Sequence, residues 1–182
     1  MASMRFLHMS FFFFFLVVLV LLVSCAHADD KSQVEKACGQ TPHPDLCVSC
    51  VNSDPSRSTS EIPELTFEIL FCMMSEATHG HEVADLQAQN TSEPNLKQAL
   101  QTCNVSLFSA SNDLTDSLMR MEGEDYQKAE ADLKSANRAV VQCYKAFLKE
   151  PVVTIPPQLF SHVDLAARYH DVAHVFFRLI RK

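Results

Sequence analysis

A single glycine, Gly123, interrupts a long helical pattern, and a cysteine lies 20 residues away from it on each side. The two cysteines are Cys103 and Cys143, and both fall in stripes of apolar residues that recur every three or four positions. A chain reversal at the glycine would make two antiparallel neighbouring helices and bring the cysteines to the same height. We therefore predict a helical hairpin closed by a Cys103–Cys143 disulfide. The alternative is two unpaired core cysteines that happen to be level.

The rest of the chain has the features of an all-α fold. Glycine is scarce, no run resembles a strand, and prolines fall where apolar stripes begin. A first long helix is expected to begin near Ser60, with Gly80 as a weak point inside it, and the second is expected to have Ser92 as its cap. Four amphipathic helices predict an up-and-down four-helix bundle over residues 60–182, preceded by a helical hairpin segment over residues 29–59.

The N-terminal segment, residues 1–28, has the three parts of a secretory signal peptide. Arg5 supplies the positive charge, the run from Phe11 to Val23 is apolar without interruption, and Ala26-His27-Ala28 offers small residues for cleavage. A membrane anchor is the alternative, but this run is shorter than the roughly 20 residues that a bilayer core needs. We therefore predict a secreted, extracellular protein with no membrane segment after cleavage.

The charge of the chain limits its partners. The formal net charge is −7, and it becomes −8 when Arg5 leaves with the signal peptide. We expect an acidic surface with no basic stripe. Such a surface argues against nucleic acid and against anionic membranes as partners.

Six cysteines remain after cleavage, and an even number in a secreted chain indicates disulfides. Cys38 and Cys47 enclose a short segment with two prolines, and a bridge between them would hold a small helical hairpin. For Cys50 and Cys72 we favour a third bridge over free buried thiols. Cys47 and Cys50 also form a CxxC pattern, so a redox dithiol or half of a zinc site is a rival interpretation.

No catalytic motif, phosphate-binding loop or complete metal site occurs in the sequence. We therefore predict a protein that is not an enzyme and that uses no cofactor and no metal. His170 and His174 have the spacing of a zinc-binding pair but lack a third ligand at the next turn. Asn90, expected in a loop, and Asn104, expected on a helix, are candidate N-glycosylation sites of a glycoprotein.

Three segments of the chain resemble one family. The segment from Cys38 to Cys47 looks like its opening hairpin, and residues 52–57 resemble the connection that follows. Gly-Glu-Asp-Tyr at residues 123–126 then precedes an Ala/Leu-rich helix that ends at Cys143. Over about residues 32–181 the chain resembles the plant invertase and pectin methylesterase inhibitors. The resemblance implies a four-helix bundle with an N-terminal hairpin, the disulfides Cys38–Cys47 and Cys103–Cys143, and secretion to the cell wall or apoplast.

The resemblance also indicates a function, that of a secreted inhibitor covering the active-site cleft of a cell-wall carbohydrate-active enzyme. Invertase inhibitors of the family carry Pro-Lys-Phe at the start of the helix after the hairpin turn, where this chain has Asp125-Tyr126-Gln127-Lys128. We therefore expect pectin methylesterase as the partner, with acid invertase as the alternative. A secreted helical carrier of a small apolar ligand is a rival from another class. The predicted contact residues are Asp113, Asp116, Arg120, Tyr126 and Lys128.

Overall fold

The computed structural model describes residues 33–53 and 61–181, and within these ranges the chain forms six helices and no strand. The predicted signal peptide lies outside the described residues, as does the predicted boundary between residues 59 and 60. The helices are α1 (33–38), α2 (Pro44–Val51), α3 (Ile62–Asn90), α4 (Pro94–Glu122), α5 (Tyr126–Phe147) and α6 (Pro157–Ile180). The predicted all-α fold is confirmed.

The four long helices form a ring around one core. Helix α3 packs against α4 and α6, and α5 packs against the same two helices, so α3 and α5 stand diagonally opposite. Side chains with almost no exposed surface fill the space between them, and burying each large apolar side chain contributes about 1.5–3 kcal/mol to folding. The largest of these include Leu65, Ile69, Leu107, Leu114, Leu133, Phe147, Phe176 and Phe177. The predicted four-helix bundle is therefore present.

Proline and acidic residues set the starts of the long helices. A proline lies in the first turn of α3, α4 and α6, where its missing N–H costs little. The prediction that Ser92 caps α4 is wrong, because the cap is the next residue, Glu93. The Glu93 carboxylate accepts a hydrogen bond of 3.0 Å from the backbone N–H of Asn95 and a second from that of Leu96.

Gly80 is not a weak point but a place of close helix packing. Helix α3 runs through it without interruption, and the residue is buried. A Cβ atom at this position would lie 2.8 Å from Cδ1 of Leu107 on α4 and 3.3 Å from Cβ of His162 on α6. The absence of a side chain therefore lets three helices approach one another at this level.

Three disulfides hold the described part of the chain. One closes the α1–α2 hairpin, one joins α2 to α3, and one joins α4 to α5. Cys47 and Cys50 belong to different bridges, so the redox dithiol, zinc-site and free-thiol interpretations are wrong. The bridges are Cys38–Cys47, Cys50–Cys72 and Cys103–Cys143.

Candidate functional site

The chain reverses between α4 and α5 at the position that the sequence indicated. Gly123 ends α4 with φ of −88°, which any residue adopts. The left-handed conformation belongs instead to Glu124, whose φ is 56°. The backbone N–H of Asp125 donates to the carbonyl oxygen of Arg120 at 2.9 Å and closes the turn. The tight turn thus places the end of α4 beside the start of α5.

An ion pair ties the two helices together next to this turn. Nε of Arg120 on α4 donates to Oδ2 of Asp132 on α5 at 2.6 Å. This hydrogen bond and the charge of Asp132 raise the pKa of the Arg120 guanidinium, and the charges of Asp116 and Asp125 act in the same direction. The guanidinium is therefore a fixed cation between two helices.

The first residues of α5 carry a second ion pair. The Asp125 side chain caps the helix by accepting from the backbone N–H of Lys128 at 3.3 Å, and Nζ of Lys128 lies 2.5 Å from its other oxygen. The side-chain hydrogen bond from Lys128 is the main reason that the pKa of Asp125 is lowered. A carboxylate at a helix start is also favoured by the helix dipole.

We call Asp116, Arg120, Asp125, Lys128 and Asp132 the turn cluster. It contains three of the five predicted contact residues: Asp116, Arg120 and Lys128. The other two, Asp113 and Tyr126, adjoin the cluster along the chain without belonging to it. Tyr126 is partly buried against the core, and Asp113 is half-buried about one turn further back on α4. The role of all five as partner contacts stays a prediction.

A second charged surface was missed by the sequence analysis. The expectation that the surface carries no basic stripe is wrong for α5, where Lys134, Arg138 and Lys145 are all exposed. Their intervals of four and seven residues place them in one row along the helix. The signal was present in the sequence, because residues 133–149 contain no Asp or Glu. The negative net charge of the whole chain concealed this local positive charge.

The histidines make local contacts rather than a metal site. Among the described residues, no group of three or more His, Cys, Asp or Glu side chains is arranged to hold a metal ion. The rings of His170 and His174 stack with centroids 6.0 Å apart. Nδ1 of His162 on α6 lies 2.7 Å from Oε2 of Glu76 on α3 and links those helices.

Comparison with known proteins identifies the family. Residues 32–173 match the family described as plant invertase/pectin methylesterase inhibitor. The chain belongs to this inhibitor family. A comparison with curated proteins found no match.

Two solved structures share the fold of this family member. A pectin methylesterase inhibitor from Arabidopsis, crystallised as mutant form A, has a TM-score of 0.67 and 15% identity, over 78% of this chain and 93% of its own. A pectin methylesterase inhibitor from Arabidopsis thaliana has a TM-score of 0.63 and 14% identity, over 83% of this chain and 97% of its own. At these identities the likeness supports the helical fold alone.

The segment in which we expected a difference from invertase inhibitors lies at the turn cluster. The stretch in the place of Pro-Lys-Phe forms the cap and first turn of α5, and Gln127 and Lys128 within it are exposed. Thus any difference in this motif alters the surface next to Arg120.

The two candidate glycosylation sites lie on α3 and α4. Asn90 is the last residue of α3 rather than part of a loop, and its side-chain amide donates to the carbonyl oxygen of Leu86 at 2.7 Å. Asn104 lies on α4, and its amide donates to Oδ1 of Asp85 at 3.1 Å. Asn90 is exposed and Asn104 is half-buried. Attachment of a glycan at either site stays a prediction.

Proposed function

We propose that this protein is a secreted inhibitor of pectin methylesterase that covers the enzyme's active-site cleft. The observation that carries the proposal is the turn cluster, a set of charged side chains at the end of a disulfide-closed hairpin in a member of an inhibitor family. The chain acts as a binding surface and not as an enzyme.

Pre-organisation is the physical basis of this activity. Arg120 is held by Asp132, and Lys128 is held by Asp125, so both cations have fixed positions before any partner arrives. A side chain that is already ordered loses less conformational entropy on binding, which saves about 0.5–1.5 kcal/mol for each one. The Cys103–Cys143 bridge limits the relative motion of α4 and α5 and thereby supports the same surface.

The choice between the two enzymes named in the family description rests on the first turn of α5. Asp125-Tyr126-Gln127-Lys128 replaces the Pro-Lys-Phe motif, which favours pectin methylesterase and makes acid invertase the second candidate. The rival function of a ligand carrier needs space inside the bundle. Fully buried side chains such as Leu107, Leu114 and Phe176 on different helices of the bundle argue for the inhibitor.

Secretion to the plant cell wall completes the proposal. The sequence of residues 1–28 and the three disulfides both fit an oxidising, extracellular location. Within the described ranges, no helix carries an apolar stretch long enough to cross a bilayer.

The proposal is tested by titrating the purified, oxidised protein against a pectin methylesterase and an acid invertase at mildly acidic pH. We expect inhibition of the esterase alone. Inhibition of the invertase alone would exchange the two candidates, and no effect on either enzyme across several isoforms would refute the inhibitor function. Loss of heat stability on delipidation would instead support the carrier.

Variants test whether the turn cluster is responsible for inhibition of the esterase. Arg120→Gln and Lys128→Gln should each weaken inhibition of the esterase about tenfold, because each removes a fixed cation from the docking surface. The matched control is Arg168→Gln on α6, since Arg168 is also half-exposed and also forms an ion pair, at 2.9 Å to Asp164. Equal losses in all three variants would show that the turn cluster has no special role.

A further inference from the structure

The exposed face of α5 carries a row of cations. Lys134, Arg138 and Lys145 lie within one narrow sector of the helix surface, and Lys149 follows in the turn just after the helix ends. With a rise of 1.5 Å per residue, the three helical cations span about 16 Å along the axis. We call these three residues the α5 stripe.

Most of these cations form no ion pair within the part of the chain that the structure describes. Lys134 forms an ion pair of 3.0 Å with Glu130, one turn before it. Arg138, Lys145 and Lys149 form no ion pair with an acidic side chain among the described residues. All three side chains are exposed to solvent. The free cations are therefore available to a ligand.

A row of exposed apolar side chains runs beside the stripe. Val141 is 39% exposed, Tyr144 is 42% exposed and Leu148 is 53% exposed. The intervals of three and four residues place them on one side of the helix, next to Arg138 and Lys145. The tyrosine offers both a flat apolar ring and a hydroxyl group.

The charge of the bundle is divided between opposite helices. Helix α3 carries Glu64, Glu68, Glu76, Glu82 and Asp85 but no Lys or Arg. It stands diagonally opposite α5, and the whole chain has a net charge of −7. An anion is therefore attracted to the exposed cations on the α5 side of the molecule.

We propose that the α5 stripe binds a linear polysaccharide that carries carboxylates on successive sugars. A straight row of separated cations suits an extended polyanion, and the adjacent apolar row suits the flat faces of sugar rings. Only the identity of the polymer as the de-esterified product of a pectin methylesterase rests on the proposed function. Its methyl-esterified form lacks the charge that the stripe recognises.

This binding would concentrate the inhibitor where its target enzyme works. The α5 stripe leads away from the turn cluster toward the other end of α5, so polymer and enzyme would contact different parts of the helix. Two weak contacts on linked partners raise the effective concentration of each for the other. The polymer site thus adds to enzyme binding without replacing it.

The test uses the purified protein without any enzyme and measures its affinity for polygalacturonate by calorimetry or affinity electrophoresis at low salt. Arg138→Gln combined with Lys145→Gln should weaken binding about fivefold, because two exposed charge pairs are lost. The matched control combines Lys36→Gln with Arg178→Gln, which removes two exposed cations outside α5. This control should retain the affinity of the original chain, and added salt should weaken binding in every case.

Each other outcome overturns the proposal. Equal affinity for fully methyl-esterified pectin would show that carboxylates are not recognised. Equal affinity for double-stranded DNA would indicate a general attraction to polyanions. If the α5 variant binds polygalacturonate normally but no longer binds the esterase in a polymer-free assay, the stripe belongs to the enzyme interface. Enzyme inhibition by the original chain is measured separately, so failure of the polymer site and failure of the inhibitor function are distinguished.

Discussion

Replacement of Gly80 by alanine tests the packing of the bundle at its tightest described glycine. In an exposed helix interior, glycine to alanine stabilises by about 1 kcal/mol, because glycine has the larger backbone entropy to lose. That value alone would predict a more stable protein. At this position, however, the new Cβ atom would lie 2.8 Å from Cδ1 of Leu107 and 3.3 Å from Cβ of His162.

The two contributions have opposite signs and different sizes. An extra methyl group in a packed core costs about 1–3 kcal/mol. The His162 contact involves the first side-chain atom, which cannot move without its backbone, and Nδ1 of the same residue is held by Glu76. We therefore take about 2 kcal/mol for the packing cost and expect Gly80→Ala to destabilise the fold by about 1 kcal/mol overall.

Urea unfolding of the oxidised protein measures this change. A loss of about 1 kcal/mol corresponds to a fall in Tm of about 2–4 °C for a chain of this size. Asn112→Ala, at an exposed position of α4, is the control for helix propensity and should stabilise slightly. In the Gly80→Ala background, Leu107→Ala should cost less than it does alone, because the new methyl group has room. Stabilisation by Gly80→Ala would refute the packing argument.

Three further changes address the turn, the hairpin bridge and acid stability. Glu124→Gly should stabilise the fold by about 1 kcal/mol in urea unfolding, because Glu124 has a left-handed φ of 56°; no gain would mean that the turn is unstrained. Replacing Cys103 and Cys143 together by alanine should cost about 4 kcal/mol, since their bridge closes a separation of 40 residues. An unchanged urea midpoint would contradict it. Burial, followed by the charge of His170, lowers the pKa of His174, so the folded state binds this proton more weakly than the unfolded state. Stability is therefore lost as pH falls below the ordinary value of 6.5, and His174→Gln should reduce the difference between Tm values measured above and below it. If the Tm difference in His174→Gln equals that of the original chain, His174 does not cause the loss of stability at acidic pH.

Contacts between distant residues could be predicted from the sequence where the number of residues between two positions determines their distance in the fold. Equal separations from Gly123 placed Cys103 and Cys143 level on antiparallel helices, and the structure contains that bridge. The periodic apolar stripes similarly predicted four helices and one core, because a helix repeats every 3.6 residues whatever its neighbours are.

Features that depend on contacts between neighbouring helices could not be predicted from the sequence. The low helix propensity of glycine predicted a weak point at Gly80. In the structure Gly80 instead allows close packing against Leu107 and His162, which are near it only after the bundle forms. The turn glycine was located correctly, yet the residue next to it, Glu124, has the left-handed conformation. Similarly, the ion pair from Arg120 to Asp132 depends on the relative rotation of two helices, which periodicity does not determine.

The disulfides divide the described helices into two cross-linked groups and one helix outside both. The bridges connect α1 to α2, α2 to α3 and α4 to α5, whereas the sequence of α6 contains no cysteine. Helix α6 is thus held by burial of side chains such as Phe176 and Phe177 and by polar links such as Arg181 to Glu130 at 2.9 Å. It is the long helix that can separate without breaking a covalent bond or opening the α4–α5 hairpin. Hydrogen exchange should then show α6 opening as the earliest cooperative unit, while the α4–α5 hairpin stays closed.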